Sequence, residues 1–121
     1  LKTRAKMTLK DRFIHWYFNK FQQDRLYLAL TTVTENSPWH RERSVSTHTD
    51  MVVAQYLTNH QLLDWNTNDL SGAFACAFHD VGKPLAREER YNEQRGQYFA
   101  YAGHEVLSAR LWEDWAMRNR E

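Results

Sequence analysis

The residues best suited to chemistry are His48, the adjacent pair His79-Asp80, and His104. A single histidine on an apolar helix face is normally a satisfied core residue. Three imidazoles and a carboxylate gathered together are different, because their burial costs free energy unless something compensates, and a divalent cation does so. Imidazole with carboxylate suits Mn, Fe, Co, Ni or Zn, and Mg less well. Neither the spacing of these residues nor the lone Cys76 fits a compact zinc finger. The ligands must therefore come from separate helices meeting at one end of a bundle. Neighbouring helical residues point about 100° apart. His79 and Asp80 can reach one ion only near a helix end, and Gly82 places an end just beyond them.

The segments that would position these residues read as helices. Thr8 with Asp11 resembles a capping box, and Leu9, Phe13, Trp16, Tyr17 and Phe21 follow at helical spacing, which predicts a helix over 9–22. Leu26, Leu30 and Val33 suggest a second helix, although the Thr-rich stretch 31–34 fits a strand better. Residues 44–60 place Val45, His48, Val52 and Tyr56 on one face. Asn66 to Asp69 supplies caps for an apolar helix from Leu70 to Asp80, stopped by Gly82 and Pro84. The charged residues 85–98 read as a solvated loop, and 101–118 as a helix with Leu107, Leu111 and Trp115 on the His104 face. The expected class is all-α.

The chain has 121 residues, enough for one compact domain, with residues 1–36 as an N-terminal helical segment and 37–121 as the metal-binding helical part. It is 42% apolar and 14% aromatic, which supports a real core. A net charge of +1 argues against a dedicated nucleic-acid binder but permits a small phosphate-bearing substrate. The lone cysteine and the lack of a membrane-length apolar stretch point to a cytoplasmic protein without membrane partners.

The text around the four residues narrows the reading. Ser44-Val45-Ser46-Thr47-His48-Thr49, Phe78-His79-Asp80-Val81-Gly82-Lys83-Pro84 and Gly103-His104-Glu105 resemble the HD superfamily of metal-dependent phosphohydrolases. They are most similar to the HD domain of bacterial tRNA nucleotidyltransferases and related RNA-repair proteins. The resemblance covers roughly residues 40 to 112. It implies an HD-type helical bundle with His48, His79 and Asp80 as metal ligands. His104 would ligate a second metal or contact the scissile phosphate. It also implies a further Asp from a later helix. Asp114 follows His104 by only ten residues, too close for that role. Either the bundle is truncated at its C-terminus, with the missing ligand in a further domain segment downstream of residue 121, or the site is incomplete.

Supporting residues follow. Lys83 matches the family's lysine, and its charge would stabilise a phosphoryl transition state. Arg41 and Arg43 precede His48 and would clamp a phosphate, Arg43 being nearer the helix start. Glu105 would orient His104. Trp39 and His40 would flank a base. Asp50 points to another helix face.

The expected function is metal-dependent hydrolysis of a phosphomonoester or 2′,3′-cyclic phosphodiester on a nucleotide or RNA end, with Lys83 and His104 as catalytic groups and Arg43 and Lys83 binding substrate. The alternative is a non-catalytic module, sensing a nucleotide or mediating an interaction through a degenerate HD site. A plain helical domain with buried histidines is the third option.

Overall fold

The structure is a computed structural model, and it describes residues 7–34, 44–61, 64–94 and 96–118. It is mainly helical, with one two-stranded sheet. Helix α1 (Leu9–Asn19) starts where expected: the Thr8 hydroxyl accepts from Asp11 N–H at 3.1 Å, and the Asp11 carboxylate accepts from Thr8 N–H. A 3-10 turn (Phe21–Gln23) leads to α2 (Arg25–Leu30). That helix ends sooner than its apolar spacing suggests. Thr31 and Thr32 turn their hydroxyls onto the Leu28 and Ala29 carbonyls, and Thr34 pairs with Ser44 as an isolated antiparallel bridge. The Thr-rich run is therefore mostly a turn, with strand-like pairing only at Thr34.

Helix α3 (Val45–Asn59) is capped by Ser44, whose hydroxyl accepts from Thr47 N–H at 3.2 Å. Asn66 and Asp69 form a reciprocal capping box at the start of α4 (Thr67–Phe78). Phe13 and Tyr17 of α1, Val53 of α3, and Ala73, Ala77 and Phe78 of α4 share one buried core. Trp16 and Phe78 stack within it, with Trp112 and Trp115 packed alongside.

After α4 the chain departs from expectation. Pro84 does not stop a helix; it sits near the start of a short one, α5 (Lys83–Ala86), where its missing N–H is harmless. Residues expected as a solvated loop form a hairpin, β1 (Glu88–Asn92) with β2 (Gly96–Ala100). Its antiparallel register runs from Glu88 opposite Ala100 to Asn92 opposite Gly96. Every residue of β1 is exposed, so the strand carries no apolar alternation that would reveal it. Helix α6 (His104–Arg118) packs against α4 and α5. Among the described residues no helix is long and apolar enough to cross a membrane.

Candidate metal centre

The four residues meet where helices begin and end. His48 lies at the close of the first turn of α3, its N–H bonded to the Ser44 carbonyl at 3.2 Å. His79 is the C-cap of α4, and Asp80 lies in the following turn. That turn tightens through Val81 N–H to Phe78 O and Lys83 N–H to Asp80 O. Leaving helical geometry lets two neighbouring side chains converge. His104 opens α6, directly after Gly103, whose φ of +80° turns the chain out of the hairpin through a conformation suited to glycine.

Asp80 is the hub, only 4% exposed. Its Oδ2 lies 2.9 Å from His79 Nε2 and 3.5 Å from Lys83 Nζ, while its Oδ1 lies 3.2 Å from His104 Nε2. The ligand atoms of His48, His79 and Asp80 lie within 4.8 Å of one another. His104 stands outside that trio, on the opposite carboxylate oxygen.

Two backbone carbonyls hold the imidazoles. His79 Nδ1 is 2.7 Å from Cys76 O, and His104 Nδ1 is 3.0 Å from Tyr101 O. A carbonyl only accepts, so each Nδ1 carries the proton and each Nε2 faces the carboxylate. In a neutral ring that Nε2 holds a lone pair directed at a carboxylate oxygen, a repulsive contact unless a cation or proton lies between. Nδ1–H bound to a carbonyl with Nε2 presented is also how metal-binding histidines are usually oriented. The donor set therefore fits a divalent metal.

Without metal, a proton takes the same role. Burial alone pushes the His79 imidazolium down, but the hydrogen bonds to Asp80 and the Cys76 carbonyl, with the Asp80 charge, outweigh it and the net shift is upward. Burial likewise pushes Asp80 up, yet His79, Lys83 and His104 more than reverse this and its carboxyl falls below the ordinary value. Burial raises the Cys76 thiol.

Lys83 points into the cluster, with Nζ also 5.6 Å from the centre of the Tyr101 ring. Arg43, Arg41, Trp39 and His40 lie outside the described residues. Glu105 does not orient His104: its carboxylate is 3.6 Å from Nδ1 and largely exposed, and the Tyr101 carbonyl is the closer partner. Asp114 is exposed, three turns along α6 from His104. Asp50 faces away from the cluster, as its place on α3 implies, and accepts from the Tyr17 and Tyr27 hydroxyls and the Gln22 amide.

Sequence reasoning missed the Cys76 and Tyr101 carbonyls and the second role of Gly82. Each carbonyl lies three residues before its histidine, an offset visible once the helix ends are known. Gly82 is not a left-handed helix stop, because its φ is −80°. It is needed for close approach: a Cβ there would lie 2.5 Å from the His104 carbonyl oxygen and 2.6 Å from Ser108 N. Its N–H donates to Ser108 Oγ at 2.8 Å, tying α6 to the turn after α4.

A cleft of about 890 Å³ opens elsewhere, walled by Phe13, Trp16, Phe74 and Trp115, and includes none of the cluster residues. The chemistry is located by the donor atoms, not by this cleft. No family model, curated protein or solved structure matches the chain.

Proposed function

We propose that the chain is an HD-type metal-dependent phosphohydrolase acting on a phosphomonoester or 2′,3′-cyclic phosphodiester of a nucleotide or RNA end. The observation that carries this reading is the pairing of two carbonyl-tethered imidazoles with the two oxygens of one buried carboxylate, Asp80, beside Lys83. The resemblance of the His-Asp-x-Gly-Lys-Pro and Gly-His-Glu segments supports it.

A divalent metal held by His48, His79 and Asp80 would polarise a phosphoryl oxygen and acidify water. The remaining work falls to the chain. Lys83 Nζ supplies positive charge beside the phosphoryl oxygens. His104 has its Nδ1–H committed to Tyr101, so a proton exchanged with a leaving oxygen would pass through Nε2, which faces Asp80 Oδ1. Asp80 fixes both imidazoles and keeps its charge because its carboxyl pKa is lowered.

The test is turnover of 2′,3′-cyclic AMP and an aryl phosphodiester with added Mn, Ni or Co. We expect metal-dependent hydrolysis that is lost in His79→Ala and in the isosteric Asp80→Asn, the latter guarding against a folding artefact. Rates equal to those variants under every metal would refute the proposal. Nucleotide-induced thermal stabilisation without hydrolysis would favour the sensing module instead.

A further inference from the structure

The β1–β2 hairpin joins two pieces of the candidate centre. It begins five residues after Lys83 and ends four residues before His104. Directly opposed residues share a face, so Glu89 with Phe99 and Tyr91 with Gln97 lie on one side. Arg87, in extended backbone just before β1, belongs to that side too, because its guanidinium lies 5.1 Å from the centre of the Phe99 ring. Tyr101, two residues beyond Phe99, has its ring beside Lys83 Nζ, which in turn contacts Asp80.

Two aromatic rings, Phe99 and then Tyr91, thus share the hairpin face with Glu89, while Tyr101 at its base packs against the core and donates its hydroxyl to the Thr34 carbonyl. Residues two apart on a strand are separated by roughly 7 Å, and diagonal cross-strand neighbours by about the same. Tyr91 is 72% exposed, although a large ring gains little from open water. The cations Lys83 and Arg87 stand at the base of the row, and Tyr91 marks its far end. A row of rings on a hairpin, cationic where it meets a phosphate-type centre, is the arrangement that stacks successive bases.

We propose that this hairpin face binds single-stranded nucleic acid, with bases on Tyr91 and Phe99 and the terminal phosphate delivered to Lys83. The inference rests on the phosphohydrolase reading for the phosphate end and deepens it, from the reacting phosphate to the surface that grips the bases beside it. It is compatible with the near-neutral net charge, because stacking supplies the grip and few phosphates are neutralised. With about two cations engaged, log Kobs should fall with log salt at a slope of roughly −1.4, far shallower than for a basic groove.

The experiment measures anisotropy of labelled eight-nucleotide single strands, RNA and DNA in separate arms, against AMP as competitor. It uses the full chain and its Asp80→Asn variant, so that binding is read without turnover. We expect the octamer to bind more tightly than AMP. Tyr91→Ala should cut that advantage about tenfold, in the range of one stacked base, while Tyr91→Phe retains it. An exposed position makes a folding defect unexpected, and a thermal melt checks it. An octamer no tighter than AMP, or insensitive to Tyr91→Ala, overturns the inference even where cyclic AMP is hydrolysed. Tyr91-dependent strand binding in a chain that hydrolyses nothing upholds the hairpin and removes only the phosphohydrolase reading. A concentration-dependent dimer abolished by Tyr91→Ala, with no strand bound, assigns the face to a second copy and overturns the inference.

Discussion

One methyl group at position 82 should disable the centre without altering any of its functional side chains. In Gly82→Ala the new Cβ meets the His104 carbonyl oxygen at 2.5 Å, Ser108 N at 2.6 Å and Leu107 Cβ at 2.8 Å. Two of these atoms are backbone in the first turns of α6, so no side-chain rotation relieves the clash. Restoring ordinary contact requires α6 to retreat by about 0.5–0.9 Å. A strained repacking of this kind costs about 2 kcal/mol, or roughly 8 °C in Tm for a domain of this size. His104 moves with the helix, and its Nε2 contact to Asp80, now 3.2 Å, stretches beyond hydrogen-bonding range. For the proposed phosphohydrolase, a displacement on this scale lowers turnover by on the order of 100-fold. Metal affinity should fall less, because His48, His79 and Asp80 lie on α3 and the α4 turn.

Ser108→Ala is the matched control. It removes the Gly82 N–H to Ser108 Oγ bond but not the glycine contact, at a cost of about 1 kcal/mol, and turnover should stay near that of the unaltered chain. The assays are a thermal melt, a metal titration and hydrolysis of an aryl phosphodiester. Equal Tm and equal turnover in Gly82→Ala would refute the argument that α6 is held at contact distance. So would a Ser108→Ala variant that loses as much activity.

Two further outcomes follow from the same geometry. Asp50→Ala orphans the fully buried Tyr17 hydroxyl and should cost about 3 kcal/mol by chemical denaturation; a loss below about 0.5 kcal/mol, or an equal loss in a Tyr17→Phe background, would show that the network holds nothing. Metal binding should release a proton below the raised His79 pKa and none well above it, read by calorimetry in buffers of different ionisation heat. In metal-free protein the raised His79 pKa gives stability that is complete at low pH and lost as pH rises through the folded value. The lowered Asp80 pKa gives stability that is lost as pH falls through its own folded value. The ion pair therefore contributes most between the two, and a metal-free Tm that does not decline above the His79 pKa would contradict the assignment.

How much of this was legible depends on where the information lies. Helix starts were readable because a capping box is local: Thr8 with Asp11 and Asn66 with Asp69 lie three residues apart and bond as their types suggest. The convergence of His79 and Asp80 was readable because only a helix end allows it. The hairpin was not, because Glu88-Glu89-Arg90 carries no period-two apolar signal and its pairing is set by where α5 and α6 hold its ends. The Asp50 network was hidden for a different reason. Its partners on α1, the 3-10 turn and α2 lie 23 to 33 residues away in the chain, and only packing brings them together.

That network and the candidate metal centre sit on opposite faces of one short stretch of α3, and this links stability to the geometry of the centre. Asp50 follows His48 by two residues, more than half a turn of helix. Anchoring Asp50 to Tyr17, Tyr27 and Gln22 fixes the rotation of α3 about its axis, and hence the direction in which His48 faces His79, whose rings are 5.6 Å apart. On the other flank, the close approach at Gly82 fixes α6 and with it His104. His48 in the first turn of α3 and His104 at the start of α6 both reach Asp80, so the N-terminal ends of two helices lie near this anion. The centre holds an anionic ligand beside a buried carboxylate only if positive charge accumulates around Asp80. Lys83 and the two helix ends are the sources this geometry provides for that charge, and the proposed divalent cation would add to them.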